Sequence, residues 1–318
     1  MEPRISVIIP LFNESQNVRP LYAKLADVLE RSGLSYEIIF VDDGSTDGTG
    51  PITEEIHRAD PKVVVIQFHR NFGQTAALSA GFDAARGRII VPMDGDMQND
   101  PEDIPALLER IDEGYDVVSG WRRKRKDSLL RRRIPSILAN AIISRISGVR
   151  LHDYGCTLKA YRTGVIQDIR LYGEMHRFIP IYAAWRGGRV TEMEVRHHPR
   201  VWGRSKYGLM RTFIVILDLI LIKFLGSYQT KPIHVFGSFG ILSLLGSVGA
   251  GTLAVFYKLS GQKDFVETPL PLLTVLMFLV GFLSIFMGLL AEIMMRTYYE
   301  SQDKPTYLIK DVLRHEQD

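Results

Sequence analysis

Residues 88–102 read Arg-Ile-Ile-Val-Pro-Met-Asp-Gly-Asp-Met-Gln-Asn-Asp-Pro-Glu. The apolar run at 88–92 predicts a β-strand, and the residues after it are typical of a loop and a helix start. Similar runs recur on both sides, with helical spacing between them. The predicted strands are Ile5–Ile9, Tyr36–Val41, Val63–Phe68, Arg88–Pro92 and Asp116–Ser119, and the predicted helices include Val18–Arg31 and Thr75–Ala85. This alternation predicts an α/β fold with a mainly parallel, doubly wound sheet.

Polar residues follow four successive predicted strands. The strand ends run into Asn13-Glu14, Asp42-Asp43-Gly44, Asn71-Phe72-Gly73-Gln74 and Asp94-Gly95-Asp96. Turn chemistry alone explains one or two such ends. Because ligands bind beyond the carboxyl ends of the strands in such sheets, four of them indicate a shared ligand site.

Asp94 and Asp96 are the most specific chemical signal. In an extended segment, residues two apart point to the same side, so both carboxylates can face one cation. Gly95 allows the backbone to approach a ligand closely, and Gln98 offers an amide oxygen. Oxygen ligands favour Mg²⁺ or Mn²⁺, which leave positions open for phosphate oxygens. The alternative is an acidic turn before a helix.

Three motifs carry a family resemblance. They are Pro10-x-x-Asn13-Glu14, Val41-Asp42-Asp43-Gly44-Ser45-x-Asp47 and Asp94-x-Asp96-x-Gln98-x-x-Pro101-Glu102. In combination and order they resemble family 2 glycosyltransferases with the GT-A, Rossmann-like fold. More narrowly, residues 4–210 resemble polyprenyl-phosphate glycosyltransferases of the GtrB and dolichol-phosphate mannose synthase type.

The resemblance implies roles for individual residues. Those implied to bind the nucleotide are Pro10, Phe12, Glu14, Asp43, Gly73 and Gly95. Those implied to hold the metal and the diphosphate are Asp94, Asp96 and Gln98. Phe12 stands where a tyrosine is often found, and Gln74 stands where some relatives have lysine.

Residues 122–133 contain eight basic residues and one acidic residue. A solvated loop is one reading of such a run. Beside a bilayer, however, basic residues are attracted to anionic head groups by about 1 kcal/mol per charge, and guanidinium groups bind phosphate through two hydrogen bonds. The resemblance implies that Arg122, Arg132 and Ser136 bind the acceptor phosphate, with Arg131 and Arg133 as alternatives to Arg132.

Two later stretches extend the resemblance. Asp153-Tyr154-Gly155-Cys156-Thr157 resembles the family's Asp-x-x-Ser/Thr-Gly stretch, with Cys156 as a departure. Arg200-x-x-Gly203-x-Ser205-Lys206 resembles a mobile loop that closes over the donor phosphates. It implies a catalytic role for Arg200, beside Asp94, Asp96 and Arg122, and a phosphate-binding role for Lys206. The alternative is a flexible, charged approach to the membrane.

The C-terminal third contains two long apolar runs. Ile233–Tyr257 and Leu270–Met295 are each about 25 residues, long enough to span a bilayer. We expect a catalytic domain at 1–206, an amphipathic juxtamembrane region at 207–230, a transmembrane hairpin at 231–297 and a cytoplasmic tail at 298–318. Ser243, Ser247 and Gly251 form a small-residue stripe, which fits packing within the hairpin or an oligomer seam.

The apolar segment Leu209–Leu225 is ambiguous. Arg211 and Asp218 share one face, which favours a helix lying on the membrane over a third span. The basic residues that flank the two apolar runs, Lys223, Lys231, Arg296 and Lys304, favour cytoplasmic outer ends. A single cysteine and no recognisable signal peptide also predict a cytoplasmic catalytic domain, on a bacterial inner membrane or its equivalent.

The resemblance implies an inverting, metal-dependent transfer of a hexose to polyprenyl phosphate. The expected donor is UDP-glucose, the expected acceptor undecaprenyl phosphate, and the expected assembly a homo-oligomer, with a tetramer as one form. Alternatives are a GDP-mannose-dependent mannose synthase and a non-catalytic membrane scaffold. A processive polysaccharide synthase is disfavoured because its Gln-x-x-Arg-Trp motif is absent. A net charge of +3, and a basic segment without interleaved aromatic residues, disfavour nucleic acid.

Overall fold

The computed structural model describes residues 2–123, 140, 143–145, 147–166, 169, 171, 175–199, 233–301 and 309–313. These residues belong to two compact units. The first unit contains the described residues up to 199 together with 309–313. The second unit contains residues 233–301.

The first unit is a sheet with helices. Its strands are β1 Ile5–Leu11, β2 Tyr36–Asp42, β3 Val63–Phe68, β4 Ile89–Pro92, β5 Val117–Trp121, β6 Lys159–Arg162, β7 Val190–Glu194 and β8 Ile309–Leu313. Its helices are α1 Ser15–Arg31, α2 Thr49–Ala59, α3 Gln74–Ala84, α4 Ile104–Asp112, α5 Thr163–Ile166 and α6 Ile179–Trp185, with 3₁₀ turns at Pro101–Asp103 and Met175–Phe178. All five predicted strands are present, with ends shifted by at most two residues.

The strand order is β7-β5-β6-β4-β1-β2-β3-β8. Strands β4, β1, β2 and β3 form a parallel centre, and β5 pairs in parallel with β7. Strand β6 runs antiparallel to both β4 and β5, so β5 points the same way as β4. The carboxyl ends of β1 to β5 therefore share one edge, and the predicted α/β, mainly parallel fold is confirmed.

The sheet is covered on both faces. On one face Val7 and Ile9 of β1 belong to an apolar cluster that includes α1 and α4. On the other face Ile8 and Ile39 belong to a cluster that includes α3 and α6. Burial on both faces explains why the central strands are continuous apolar runs rather than alternating ones.

The second unit is a helical hairpin of α7 Ile233–Leu259 and α8 Leu270–Ser301. A Cβ atom at Gly240 would lie 2.8 Å from the carbonyl oxygen of Gly281, so the two backbones approach closely there. The Ser247 hydroxyl donates a hydrogen bond of 2.7 Å to the Thr274 carbonyl. Ser243 and Ser247 are buried. The small-residue stripe therefore packs within the hairpin.

The outer surface of the hairpin is apolar. Phe236–Leu259 and Leu270–Ala291 are long and apolar enough to span a membrane. Leu242 and Leu272 are 68% and 74% exposed, whereas a core helix of a soluble protein would bury such side chains. Exposed apolar side chains of this kind are stable in contact with lipid, and the chain is a membrane protein.

Strand β8 lies within residues 298–318, the range predicted as a tail, which also contains the end of α8. It pairs antiparallel with β3, with Ile66 opposite Val312. After the hairpin, the chain thus returns to the sheet of the first unit. The predicted interfacial segment, Leu209–Leu225, lies outside the described residues.

Candidate active site

The loop after β4 carries the acidic pair. The Asp94 backbone N–H donates to Asn99 Oδ1 at 3.3 Å, and the Gln98 N–H donates to Asp96 Oδ1 at 3.1 Å. Between them Met97 has a φ of 59°, a left-handed conformation that is uncommon for a residue other than glycine. Such backbone strain clusters at ligand-binding sites, where the surrounding structure maintains it.

The two carboxylates act on each other. Burial and the charge of Asp96 raise the pKa of Asp94 to about 6, against the opposing effects of the Thr157 hydrogen bond and the charges of Arg122 and Lys159. Adjacent carboxylates of this kind fit a hard divalent cation such as Mg²⁺ or Mn²⁺. Among the described residues no cluster of three or more His, Cys, Asp or Glu side chains forms a metal cage. A cation held by this pair would take its other ligands from phosphate oxygens and water.

The loop after β3 meets the acidic pair. Gln74, the first residue of α3, donates a side-chain hydrogen bond of 2.8 Å to Asp94 Oδ1. Asp43, at the end of β2, accepts from the backbone N–H groups of Phe72 at 2.6 Å and Gly73 at 2.9 Å. Burial raises the pKa of Asp43. Gly73 has a φ of 93°, which explains a glycine at the start of this helix.

The loops after β1 and β2 are also joined. The Thr46 N–H donates to Asn13 Oδ1 at 2.8 Å, and the Asn13 N–H donates to Ser45 Oγ at 2.9 Å. A Cβ atom at Gly44 would lie 2.4 Å from the Arg70 backbone, so only glycine fits where the loop after β2 meets the loop after β3. The predicted nucleotide-binding residues on this edge, Pro10, Phe12 and Glu14, are all partly buried. Their binding roles stay predictions.

Gly95 packs against protein. A Cβ atom there would lie 2.5 Å from Leu11 Cδ2 and 3.2 Å from the Pro10 carbonyl oxygen. The absence of a side chain at Gly95 is thus required by the end of β1, and the predicted approach of this backbone to a ligand stays a prediction.

Arg122 follows β5 at the same edge of the sheet. Its Nε and Nη2 atoms donate to the two carboxylate oxygens of Asp153 at 2.7 and 3.0 Å, and both side chains are about one-tenth exposed. Burial alone would lower the pKa of Arg122, but the Asp153 carboxylate raises it. Arg122 is therefore a fixed positive charge that acts on Asp94. Its predicted contact with the acceptor phosphate stays a prediction.

A second ion-pair network surrounds Asp100, in the loop that follows the acidic pair. Asp100 accepts from Lys24 Nζ and His198 Nε2, each at 2.8 Å. Burial alone would raise the pKa of Asp100, but the hydrogen bonds from Lys24 and His198 outweigh burial and lower the pKa to about 2. The backbone N–H of His198 also donates to the backbone carbonyl of Gln98 at 2.9 Å. The remaining predicted site residues lie outside the described residues; they are Arg132, Ser136, Arg200 and Lys206.

Lys159 and Thr157 were missed as site residues. Thr157 hydrogen-bonds to Asp94. Lys159 begins β6 and is 2% exposed, and its Nζ donates to the Tyr154 carbonyl at 3.3 Å and to the Cys156 carbonyl. Burial lowers the pKa of Lys159 to about 8. The available sequence signal was a lysine inside the otherwise apolar stretch Leu158–Tyr161.

The fold and the acidic pair at the sheet edge define a transferase of the GT-A type. The family model of glycosyl transferase family 2 matches residues 6–170, more than half of the chain, and the chain belongs to this family. It is an enzyme, a glycosyltransferase, as the sequence motifs predicted.

Two curated relatives match over nearly the whole chain. The dodecaprenyl-phosphate galacturonate synthase of Rhizobium johnstonii is 43% identical over 322 residues, covering 97% of this chain and 92% of that protein. The undecaprenyl-phosphate 4-deoxy-4-formamido-L-arabinose transferase of Edwardsiella ictaluri is 38% identical over 314 residues, covering 98% and 95%.

Among solved structures, glucosyl-3-phosphoglycerate synthase from Mycobacterium tuberculosis, in complex with Mn²⁺, UDP and phosphoglyceric acid, superposes with a TM-score of 0.54. It is 18% identical and covers 70% of this chain and 78% of its own. At this identity the likeness concerns the fold alone.

Proposed function

We propose that this glycosyltransferase moves a sugar from a nucleotide diphosphate donor to a polyprenyl phosphate at a membrane surface. The observation that carries the proposal is the Asp94–Asp96 pair, joined to the other strand-end loops at one edge of the sheet. Two helices long and apolar enough to span a membrane support a lipid acceptor. Two relatives that are named as polyprenyl-phosphate sugar transferases or synthases match along nearly the whole chain, which also supports it.

The transfer to a lipid phosphate needs no strong general base. A lipid phosphate is already an anion at neutral pH, so its oxygen can attack the anomeric carbon directly. A divalent cation, when bound, neutralises charge on the leaving diphosphate. Asp94 and Asp96 would hold that cation, and Gln74 orients the Asp94 carboxylate. Arg122, fixed by Asp153, adds positive charge where two anions must meet. We infer a single in-line displacement with inversion at the sugar carbon.

The transferred sugar is the finer part of the proposal. The sequence led us to expect glucose from UDP-glucose. The relatives are named for galacturonate and for 4-deoxy-4-formamido-L-arabinose, which supports one of these sugars in place of glucose. A cytoplasmic catalytic domain and a homo-oligomeric assembly remain predictions.

The proposal is tested with the full-length protein in lipid nanodiscs containing undecaprenyl or dodecaprenyl phosphate. Radiolabelled UDP-galacturonate, UDP-4-deoxy-4-formamido-L-arabinose and UDP-glucose are supplied with Mg²⁺ or Mn²⁺. We expect a labelled lipid whose anomeric configuration is inverted. Asp96→Asn should lower the rate by about 10²–10³-fold, as the loss of a transition-state charge contact does.

The matched control is Asp27→Asn, because Asp27 is an exposed carboxylate that pairs with Arg31 in the same helix. Full activity in excess chelator would contradict a metal requirement. Retained anomeric configuration would contradict a single displacement. Transfer to a soluble acceptor but to no lipid phosphate would exclude the proposed acceptor.

A further inference from the structure

A short turn before β6, residues 153–157, contacts both charged groups of the candidate site. At its start, Asp153 accepts hydrogen bonds from Arg122 Nε and Nη2 at 2.7 and 3.0 Å. At its end, Thr157 hydrogen-bonds to Asp94. The arginine follows β5 and the aspartate follows β4, so two side chains from different strands depend on this one turn for their orientation.

The 153–157 turn packs tightly against the ion pair. The Gly155 N–H donates to Asp153 Oδ1 at 3.0 Å. A Cβ atom at Gly155 would lie 3.3 Å from Arg122 Nη2 and 3.5 Å from Asp153 Oδ1. Tyr154 and Cys156, on either side of this glycine, are 1% and 0% exposed. Because buried backbone carbonyls need hydrogen-bond donors, the shape of the turn depends on what reaches these two residues.

Lys159 supplies a donor to both carbonyls. It is the first residue of β6 and is 2% exposed. Its Nζ donates to the Tyr154 carbonyl at 3.3 Å and to the Cys156 carbonyl. A lysine ammonium group carries three donors, so it can hold both carbonyls at once. One side chain therefore ties the 153–157 turn, on both sides of its glycine, to the sheet.

The sheet fixes the position of Lys159. Its backbone pairs with Ser119 of β5, and the rest of β6 pairs with β4 and β5. Strand β5 continues to Trp121 and leads directly into Arg122. The ammonium group thus connects the turn to the strand that carries the arginine.

Stability alone does not account for a lysine at this position. Burying an ammonium group is costly unless an anion compensates it. Within the described part of the chain, Lys159 donates to these carbonyls and to no carboxylate, and burial lowers its pKa to about 8. An apolar side chain would avoid this cost but would leave the two carbonyls without this donor. The lysine therefore serves the shape of the turn.

We propose that Lys159 is a positioning residue for sugar transfer. Its ammonium group keeps the 153–157 turn in the shape that orients both the arginine and the aspartate of the site. Lys159 touches neither donor nor acceptor and acts only through the turn. This inference rests on the proposed function, because the two groups that it positions are those assigned to the diphosphate and to the acceptor.

The first experiment measures sugar transfer in nanodiscs. Lys159→Met should lower kcat at least tenfold at saturating donor, since small displacements of charged groups in an active site are costly. Lys159→Gln is uncharged but still offers amide donors, and it should lose less. The matched control is Lys62→Met, because Lys62 is half-exposed and pairs with Glu30; it should leave kcat within about twofold. Circular dichroism and thermal unfolding of each variant monitor folding.

The second experiment measures Mn²⁺ affinity without donor, by electron paramagnetic resonance at about pH 8. If Lys159 orients Asp94 through the turn, Lys159→Met should weaken Mn²⁺ binding at least threefold. If Lys159 acted only through its charge, the same variant should bind Mn²⁺ more tightly, because a positive charge near the cation would be gone. The two roles therefore predict changes of opposite sign.

A double-mutant cycle tests whether the turn carries the effect. Thr157→Val removes the hydroxyl group that bonds to Asp94. Because both variants act on the same contact, the loss of kcat in Lys159→Met/Thr157→Val should be well below the product of the two single losses. Lys159→Gln replaces Lys159→Met in this cycle if the methionine variant is unfolded at the assay temperature.

Unchanged or tighter Mn²⁺ binding in Lys159→Met would overturn the inference. Losses that multiply in the double variant, or equal losses in Lys159→Gln and Lys159→Met, would overturn it too. A wild type that transfers no sugar to lipid phosphate would instead remove the proposed function. In that case the Mn²⁺ measurement still decides whether Lys159 orients Asp94.

Discussion

Opposing effects set the pKa of Asp94: burial and the charge of Asp96 raise it, whereas the Thr157 hydrogen bond and the charges of Arg122 and Lys159 lower it. Because its pKa is raised from 3.8 to about 6, protons compete with a metal ion over a pH range in which an ordinary aspartate is already ionised. The residue that is best suited to bind a cation is therefore also the one most sensitive to mild acid.

This gives a prediction for metal binding. Above about pH 6 the apparent affinity of the metal-free protein for Mn²⁺ should be nearly constant, and below it the affinity should fall, approaching tenfold per pH unit as the ionised fraction falls. Titration with Mn²⁺, followed by electron paramagnetic resonance between pH 5 and 8, measures the effect. Asp96→Asn should move the midpoint of any residual binding to lower pH, since the neighbouring charge is gone. An affinity that stays flat down to pH 5 would contradict the assigned cause.

The buried Arg122–Asp153 ion pair contributes to stability as well as to the charge of the site. Asp153→Ala leaves a buried guanidinium without its carboxylate and should destabilise the protein by about 3–5 kcal/mol. The double variant Arg122→Met/Asp153→Leu should recover much of that stability, because no buried charge remains, while staying inactive. Thermal unfolding and a transfer assay separate the two effects. A double variant as unstable as Asp153→Ala would show that packing, rather than charge, holds this site.

Single residues also mark the limit of prediction from sequence. The spacing of Asp94 and Asp96 was enough to find the pair, because two neighbouring residues share their local geometry. The partner of Arg122, Asp153, lies 31 residues away along the chain, and no local sequence pattern shows such a contact. Lys159 was overlooked for a similar reason, since its burial depends on α3 and β4 packing over it.

At the scale of elements, the strands that were predicted are those with unbroken apolar runs. Ile5–Leu11 and Val63–Phe68 are buried along nearly their whole length, so composition alone identifies them. Two of the three missed strands are short and carry charges: β6 begins with Lys159 and ends with Arg162, and β7 contains Glu192 and Glu194. Their strand structure depends on pairing with β5, which is a tertiary effect.

The hairpin supports a prediction with an internal control. A side chain at Gly240 would collide with Ile285 and the Gly281 backbone, whereas one at Gly249 meets nothing within 4 Å. Gly240→Leu should therefore destabilise the hairpin by about 1–3 kcal/mol through overpacking. Gly249→Leu, in the same helix, should change stability much less. Thermal unfolding in detergent measures both, and equal effects would contradict the described packing.

For the whole molecule, the pairing of β8 with β3 constrains membrane topology. Residues before and after the hairpin belong to one sheet, so the chain must cross the membrane an even number of times between residue 199 and β8. Two crossings, by α7 and α8, satisfy this condition.

Cysteine labelling tests this topology directly, because the natural Cys156 is buried. Glu55→Cys and Lys263→Cys each introduce one thiol at an exposed position, in the first unit and in the connection between α7 and α8. A membrane-impermeant maleimide should reach them from opposite sides, and a C-terminal tag should lie on the side of Glu55. A tag and Glu55 on opposite sides would require a third span and would contradict the pairing of β8 with β3.

The position of β8 also determines the order of events during synthesis. The ribosome makes this strand after both apolar helices, although it lies at the border of a sheet whose other described strands come from the first two hundred residues. Until it arrives, the free side of β3 presents unpaired backbone groups, a known route to aggregation. A nascent chain that stalls before β8 is made therefore leaves the edge of β3 unpaired, so completion of the sheet depends on prior synthesis of the two apolar helices.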